Sequence, residues 1–260
     1  MELLFFSGTL SVGSLVYFYR LATNPSDWQS HSHVRVQAYG PADVVLTTLL
    51  VLLLLVNILG SNDRPVEVDT RMLIGSAIVS LLLLSIVLSF LLLRGRNPLE
   101  LFGLRGISLS TNLKAACLGL LAALPLVYFI HSLCLVFLGA RAEPQPLIQF
   151  LAQNSSLEDR MLLIGTALVV APVAEEFIFR GYLFGVLCRY TGKWWALLIS
   201  GMIFAAIHAH IPSLASLFAL AVTLTLVYLG TGSLWAAIVM HSLFNAITVV
   251  FTLAWPDLVK

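Results

Sequence analysis

Apolar residues dominate this chain in long unbroken stretches. They do not alternate as in a half-buried strand, nor form the one-faced stripe of a soluble helix. Eight stretches can be marked, at about 3–19, 44–60, 72–93, 113–139, 161–187, 194–210, 213–229 and 233–254. Residues 44–59 and 72–93 hold no charged side chain at all. A helix needs roughly 20 apolar residues to cross the hydrocarbon core. The pattern therefore predicts an all-α, polytopic membrane protein with about eight transmembrane helices. A membrane β-barrel would instead show short alternating segments. The first stretch is short, and the seventh is expected to tilt or to stop before crossing fully.

The polar connections divide the pattern. Residues 23–40, with Pro25, His31, His33 and Arg35, read as a loop or interfacial segment. Residues 94–113 form a second connection, in which Phe102, Gly103, Leu104 and Arg105 mark a short interfacial turn. Residues 141–160 contain Pro144 and Pro146 and read as a longer loop. The last connections are short, so the fifth to eighth helices should form one compact unit. The chain shows no internal repeat.

Composition supports this reading. Of the 260 residues, 59% are hydrophobic and only 10% charged, against about 25% charged in a soluble domain. Mean hydropathy is +0.97. Too little polar surface remains to coat a soluble globule, so the lipid bilayer is the first expected partner. A net charge of +1 gives no electrostatic case for nucleic acid. Cys117, Cys134 and Cys188 lie in or beside apolar stretches and read as packing residues, not as a disulfide framework. The N-terminus lacks the basic flank of a signal peptide and reads as a retained first helix. The C-terminus carries no lipidation motif. With eight spans, Arg20, Arg35, Arg94, Arg96, Arg105, Arg189 and Lys193 fall on one side. Arg64, Arg71, Arg141, Arg160 and Lys260 fall on the other. This small excess puts both termini outside the cytoplasm.

Of the 13 acidic residues, Glu175 and Glu176 fall deep inside an apolar stretch, together with Arg180. Each such charge costs at least about 2.5 kcal/mol to insert at the centre of a membrane helix. At α-helical spacing Glu176 and Arg180 share a face one turn apart, in the favourable order, and should neutralise each other. Glu175 then points elsewhere and must find a partner on another helix, take up a proton or face water. The sixth stretch sets Phe204 and His208 one turn apart. The eighth sets His241 and Asn245 one turn apart. Polar side chains in apolar helices face the bundle interior. Converging there, they suit metal-free peptide hydrolysis, with Glu175 as general base and His208 holding or relaying the same water. His241 and Asn245 would then donate to the oxyanion. Glu176 and Arg180 would fix the helix, and Phe204 would shape the cavity. His131 reads as an interhelical hydrogen-bonder and His210 as an end-of-helix residue. Trp194, Trp195 and Trp255 read as interface anchors.

These residues resemble the CPBP intramembrane proteases, which include type II CAAX prenyl endopeptidases and Abi-type immunity proteins. That family carries EExxxR, FxxxH and HxxxN on successive membrane helices. Here they stand as Glu175-Glu176 with Arg180, Phe204 with His208, and His241 with Asn245. The usual ending of the first motif is also present, as Phe179, Arg180 and Gly181. The resemblance implies an eight-helix glutamate-dependent endopeptidase with the first glutamate catalytic. It divides a single membrane domain, 1–260, into N-terminal helices 1–159 and a catalytic core 160–255. The implied partner is a membrane-associated peptide or protein substrate, and the implied location is multi-pass in the membrane, the cell membrane in a bacterium. No cofactor is implied. A zinc-dependent hydrolase using Glu175, His208 and His241 stands as the alternative, although the chain has no HExxH. A non-catalytic membrane scaffold or immunity protein is the reading from another class. A transporter is less favoured, because no pair of Gly/Pro-broken helices is seen.

Overall fold

The computed structural model describes residues 2–23, 35–60, 68–139, 143–152 and 156–258. All regular structure among the described residues is helical. In chain order the helices are α1 (Glu2–Thr23), α2 (Pro41–Gly60), α3 (Thr70–Leu93), the short α4 (Pro98–Leu101) and α5 (Leu109–Leu138). Then come α6 (Pro146–Ala152), the long α7 (Leu157–Thr191), α8 (Lys193–Ala206), α9 (Leu214–Thr231) and α10 (Leu234–Ala254). Helix starts follow local chemistry. The side chains of Asp69, Ser108 and Ser156 accept from the backbone N–H of Met72, Thr111 and Asp159, satisfying donors that the first turn leaves open.

Six helices are long and apolar enough to cross a membrane: α2, α3, α5, α7, α9 with the turn before it, and α10. The chain is thus an all-α, multi-pass integral membrane protein. Two of the eight expected spans are not among these six: α1, the stretch already expected to be short, and α8. α8 has 14 residues, about 21 Å of rise, short of the roughly 30 Å core. It ends at Ala206 instead of running on to 210. Beyond it Ala209 adopts a positive φ of 47°, and Pro212 has no N–H and disfavours helix in the residue before it. The seventh stretch, expected to stop short, does the opposite. α9 is the most enclosed candidate span, with 67% of its window buried.

α9 packs among α1, α5, α8 and α10. Small residues at these contacts, including Ala115, Ala116, Ala219, Ala221, Ala236 and Ala237, let the helices approach closely. The lipid-facing sides of α2, α3 and α5 carry exposed leucine, valine and isoleucine. The interfacial turn expected near residue 102 is the short helix α4, and Phe102 behind it is fully buried. Its carbonyl accepts from Leu234 N–H, 3.0 Å, which docks the turn onto the start of α10. Trp194 and Trp195 in the first turn of α8 and Trp255 after α10 are exposed at helix ends. At the end shared by α1's C-terminus and α8's N-terminus, Lys193 donates to Ala22 O at 3.0 Å and Arg189 bonds Gln37. The expected loop with Pro25, His31 and His33 lies outside the described residues, as do Arg64, Arg141 and Lys260.

Candidate active site

The polar interior is organised by α7, which is not a uniform α-helix. It widens into π geometry at Thr166–Val170 and again at Glu176–Leu183. The first widening has a cause in the sequence. Pro172 has no N–H, and its ring would strike the carbonyl four residues earlier, that of Leu168. The Ala171 N–H accordingly bonds Thr166 O, five residues back. The same spacing would pair Ala167 O with residue 172, which is the proline. Asn245 on α10 supplies the missing donor, its Nδ2 lying 2.8 Å from Ala167 O. The second widening spans the charged turn itself, and its last bond runs from Phe184 N–H to Phe179 O.

Within that wide turn Arg180 Nη1 donates to Glu176 Oε1 at 2.8 Å. Both side chains are fully enclosed, so the expected ion pair is present. It is joined by a group from another helix. His241 Nδ1, on α10, lies 2.8 Å from the same Oε1. Arg180 is clamped further: its guanidinium carbon sits 4.2 Å from the Phe204 ring centroid, and Nη2 reaches Ala221 O on α9 at 3.4 Å. Phe204 thus does more than shape space. It offers its π face to the buried cation and touches the rings of Phe179, His208 and His241.

Glu175 is placed differently. Its side chain is 21% exposed, and its nearest charged neighbour is His241 Nε2 at 3.9 Å, too long for a hydrogen bond. His241 therefore stands between the two carboxylates, bonded to one and facing the other. His208 lies just past the end of α8. Its Nδ1 is 2.8 Å from Phe204 O. A carbonyl only accepts, so Nδ1 carries the proton and Nε2 of the neutral ring is an acceptor. Glu175, Glu176, Arg180, Phe204 and His241 thus meet from three helices at one buried turn, and His208 joins them through the Phe204 ring and carbonyl. Asn245 stands one turn along α10, with one of its two N–H bonds committed to Ala167. Buried Glu176 Oε2 has no hydrogen-bond partner among the described residues.

Among the described residues, no three His, Cys, Asp or Glu side chains are close enough together to hold a metal ion. Glu175, His208 and His241 therefore do not, as they stand, form a zinc-ligand set. His210 is an end-of-helix residue as expected. It ties the α8–α9 turn to the segment before α6, through Ser213 Oγ and Glu143 O, both at 2.9 Å.

Sequence reasoning missed a second buried cluster, at the start of α2. Asp43 is fully buried and pairs with Arg96 at 2.9 Å. Its other oxygen accepts from Gly40 N–H at 2.8 Å. The Tyr182 hydroxyl approaches Asp43 Oδ1 at 3.4 Å, and that of Tyr39 donates to Gly181 O at 2.8 Å. In the sequence Asp43 looks like an ordinary acidic residue in a first helical turn, and Arg96 like a loop cation. Only the bundle brings them together.

The same part of the chain is similar to known proteins. Residues 157–247, which hold every motif residue named above, match the family model Type II CAAX prenyl endopeptidase Rce1-like. The chain is 35% identical over 92 residues to a Bacillus subtilis (strain 168) protein named "Putative membrane peptidase YdiL", covering 35% of this chain and 38% of that one. It is 31% identical over 98 residues to the Membrane-embedded CAAX protease MroQ of Staphylococcus aureus (strain USA300), covering 35% of this chain and 40% of that one. The matches thus span about two fifths of the length of these relatives. No solved structure matches.

Proposed function

We propose that this protein is an intramembrane endopeptidase that hydrolyses a membrane-associated peptide or protein, with Glu175 activating water. One observation carries the reading. Of the two adjacent carboxylates in the buried turn, Glu176 is held by Arg180 and His241, and Glu175 is left short of a strong partner and partly open. A base must be able to give up its present contact to reach water, and Glu175 can. Glu175 takes a proton from the water as the oxygen attacks the peptide carbonyl carbon. His208 accepts from the same water through Nε2. The negative charge that builds on the carbonyl oxygen meets the second N–H of Asn245 and, when the ring carries both protons, Nε2–H of His241, whose Nδ1–H is given to Glu176. As the C–N bond breaks, the proton held by Glu175 passes to the leaving amine. Glu176 and Arg180 hold the turn in place throughout. The Rce1-like match and the two peptidase-named relatives support this class of reaction, and CAAX-type prenylated peptides are the first substrates to try.

The test is cleavage of prenylated and unmodified peptides by purified wild-type protein and Glu175→Gln, read by mass spectrometry with and without a strong chelator. Cleavage that needs Glu175 and survives chelation supports the proposal. Wild-type turnover by a folded Glu175→Gln protein sinks it. Cleavage abolished by chelator and restored by zinc would replace it with a metal mechanism.

A further inference from the structure

The Rce1-like match begins at residue 157, so it leaves the first half of the chain without a part in the chemistry. Tyr39 there reaches the widened segment of α7 through its hydroxyl. Tyr39 lies between the single turn Val36–Ala38 and the start of α2. Its hydroxyl donates to Gly181 O at 2.8 Å in a buried contact. Gly181 directly follows Arg180, inside the widened segment. The helix is cut to admit the ring: a methyl group at Gly185 would lie 2.4 Å from Tyr39 Cε2 and 2.7 Å from the hydroxyl. Tyr39 is itself braced from three sides. Arg96 lies 5.8 Å from its ring centroid, Tyr182 meets it edge-on at 5.9 Å, and Asp43 fixes the adjoining backbone through Gly40. Burial holds the phenol well above its ordinary pKa, reinforced by Tyr228 and Asp43, so it stays a donor.

We propose that Tyr39 is a positioning residue for the Glu175–Arg180 turn, its hydroxyl locking the widened helix through Gly181 O in the register that sets Glu175 opposite His241. This rests on the peptidase reading above. A wide turn is rarer and less favourable than α-helix, and such turns cluster at functional sites. It persists only when neighbours over-determine it. Asn245 holds the stretch before the glutamates, and Tyr39 holds the stretch after them.

The test compares full-length wild type, Tyr39→Phe and the control Tyr17→Phe, a ring on α1 that packs on Phe18. Two readings are taken: kcat and KM for a cleaved peptide, and backbone hydrogen exchange over residues 176–186. Loss of one buried hydrogen bond should lower kcat about 5–10-fold. KM should stay unchanged, and exchange should quicken in that window alone. Tyr17→Phe should match wild type in both. Unchanged exchange in Tyr39→Phe overturns the proposal. Faster exchange with wild-type kcat also overturns it, because the bond would then be structural only. If wild type cleaves nothing yet exchange quickens, the peptidase reading fails while the hold of Tyr39 on the turn stands. Should Tyr39→Phe not fold, Arg96→Lys keeps a cation beside Asp43, removes the guanidinium from the Tyr39 ring and is read in the same way.

Discussion

Among the described residues, Glu176 with Arg180 and Asp43 with Arg96 are ion pairs whose carboxylates are fully buried, and they are completed to different degrees. At Asp43 and Arg96 both carboxylate oxygens are engaged: one takes Arg96 and lies 3.4 Å from the Tyr182 hydroxyl, the other takes a backbone N–H. At Glu176 and Arg180 one oxygen carries both Arg180 and His241, while the other has no hydrogen-bond partner among the described residues. Glu175 beside it has His241 Nε2, at 3.9 Å, as its ion-pair contact among the described residues. A saturated pair can only hold structure, because any new contact must displace an old one. An unsaturated group in the same low-dielectric setting is costly to keep. Its persistence here fits a site that completes its hydrogen bonds with substrate and water.

The comparison can be broken most sharply at Glu175. Glu175→Gln keeps shape and is expected to reduce peptide turnover by about 100-fold or more. Its melting temperature in detergent should stay within about 2 °C of wild type. A large loss of thermal stability would mean that Glu175 is a structural group like Asp43. Next, Arg180→Met leaves the enclosed Glu176 without its counter-cation, and Arg96→Gln does the same to Asp43. Removing one partner of a buried pair costs about 3–5 kcal/mol, so chemical denaturation should show both losses. Turnover per folded molecule should fall much further for Arg180→Met. Equal falls would erase the distinction between the clusters. Phe204→Leu keeps the volume but removes the face under Arg180, and should cost about 1–2 kcal/mol in the same denaturation assay.

The smallest expected effect concerns pH at His210, in the turn outside the spans. Burial there pushes its pKa below the ordinary histidine value, against a smaller opposing contribution from Glu143. The unfolded chain therefore binds the proton first as pH falls. His210's contribution to stability is full above the ordinary value and is lost as pH drops through it towards the folded value. The melting temperature of wild type should fall slightly more than that of His210→Gln between about pH 8 and pH 5.5. An identical slope in both proteins would remove this assignment.

Much of the site was legible because charge inside an apolar run is conspicuous. Glu176 and Arg180 pair as their spacing required, His241 bonds the same carboxylate, and His208 packs on Phe204 beside it. Three features were hidden. The widening of α7 was not anticipated, because a period of 3.6 was assumed, although Pro172 was a visible signal for it. The double role of His241 between two carboxylates depends on how α10 crosses α7. The Asp43 cluster joins residues more than fifty positions apart, and Tyr39 reaches across 142 positions to Gly181. No local pattern encodes such a contact.

The sequence alone determined that this chain lives in a membrane as a helical bundle, because a chain this apolar has no other way to satisfy its backbone. It also determined which side chains had to turn inward, because lipid solvates charge poorly. The tertiary structure decided where the helices end and which is enclosed, since α8 ends at Ala206, before Ala209 and Pro212, while α9 is the most buried candidate span. It also decided which glutamate is pinned and which is left open. That choice depends on distances of a few ångströms between helices, which packing sets and composition does not record.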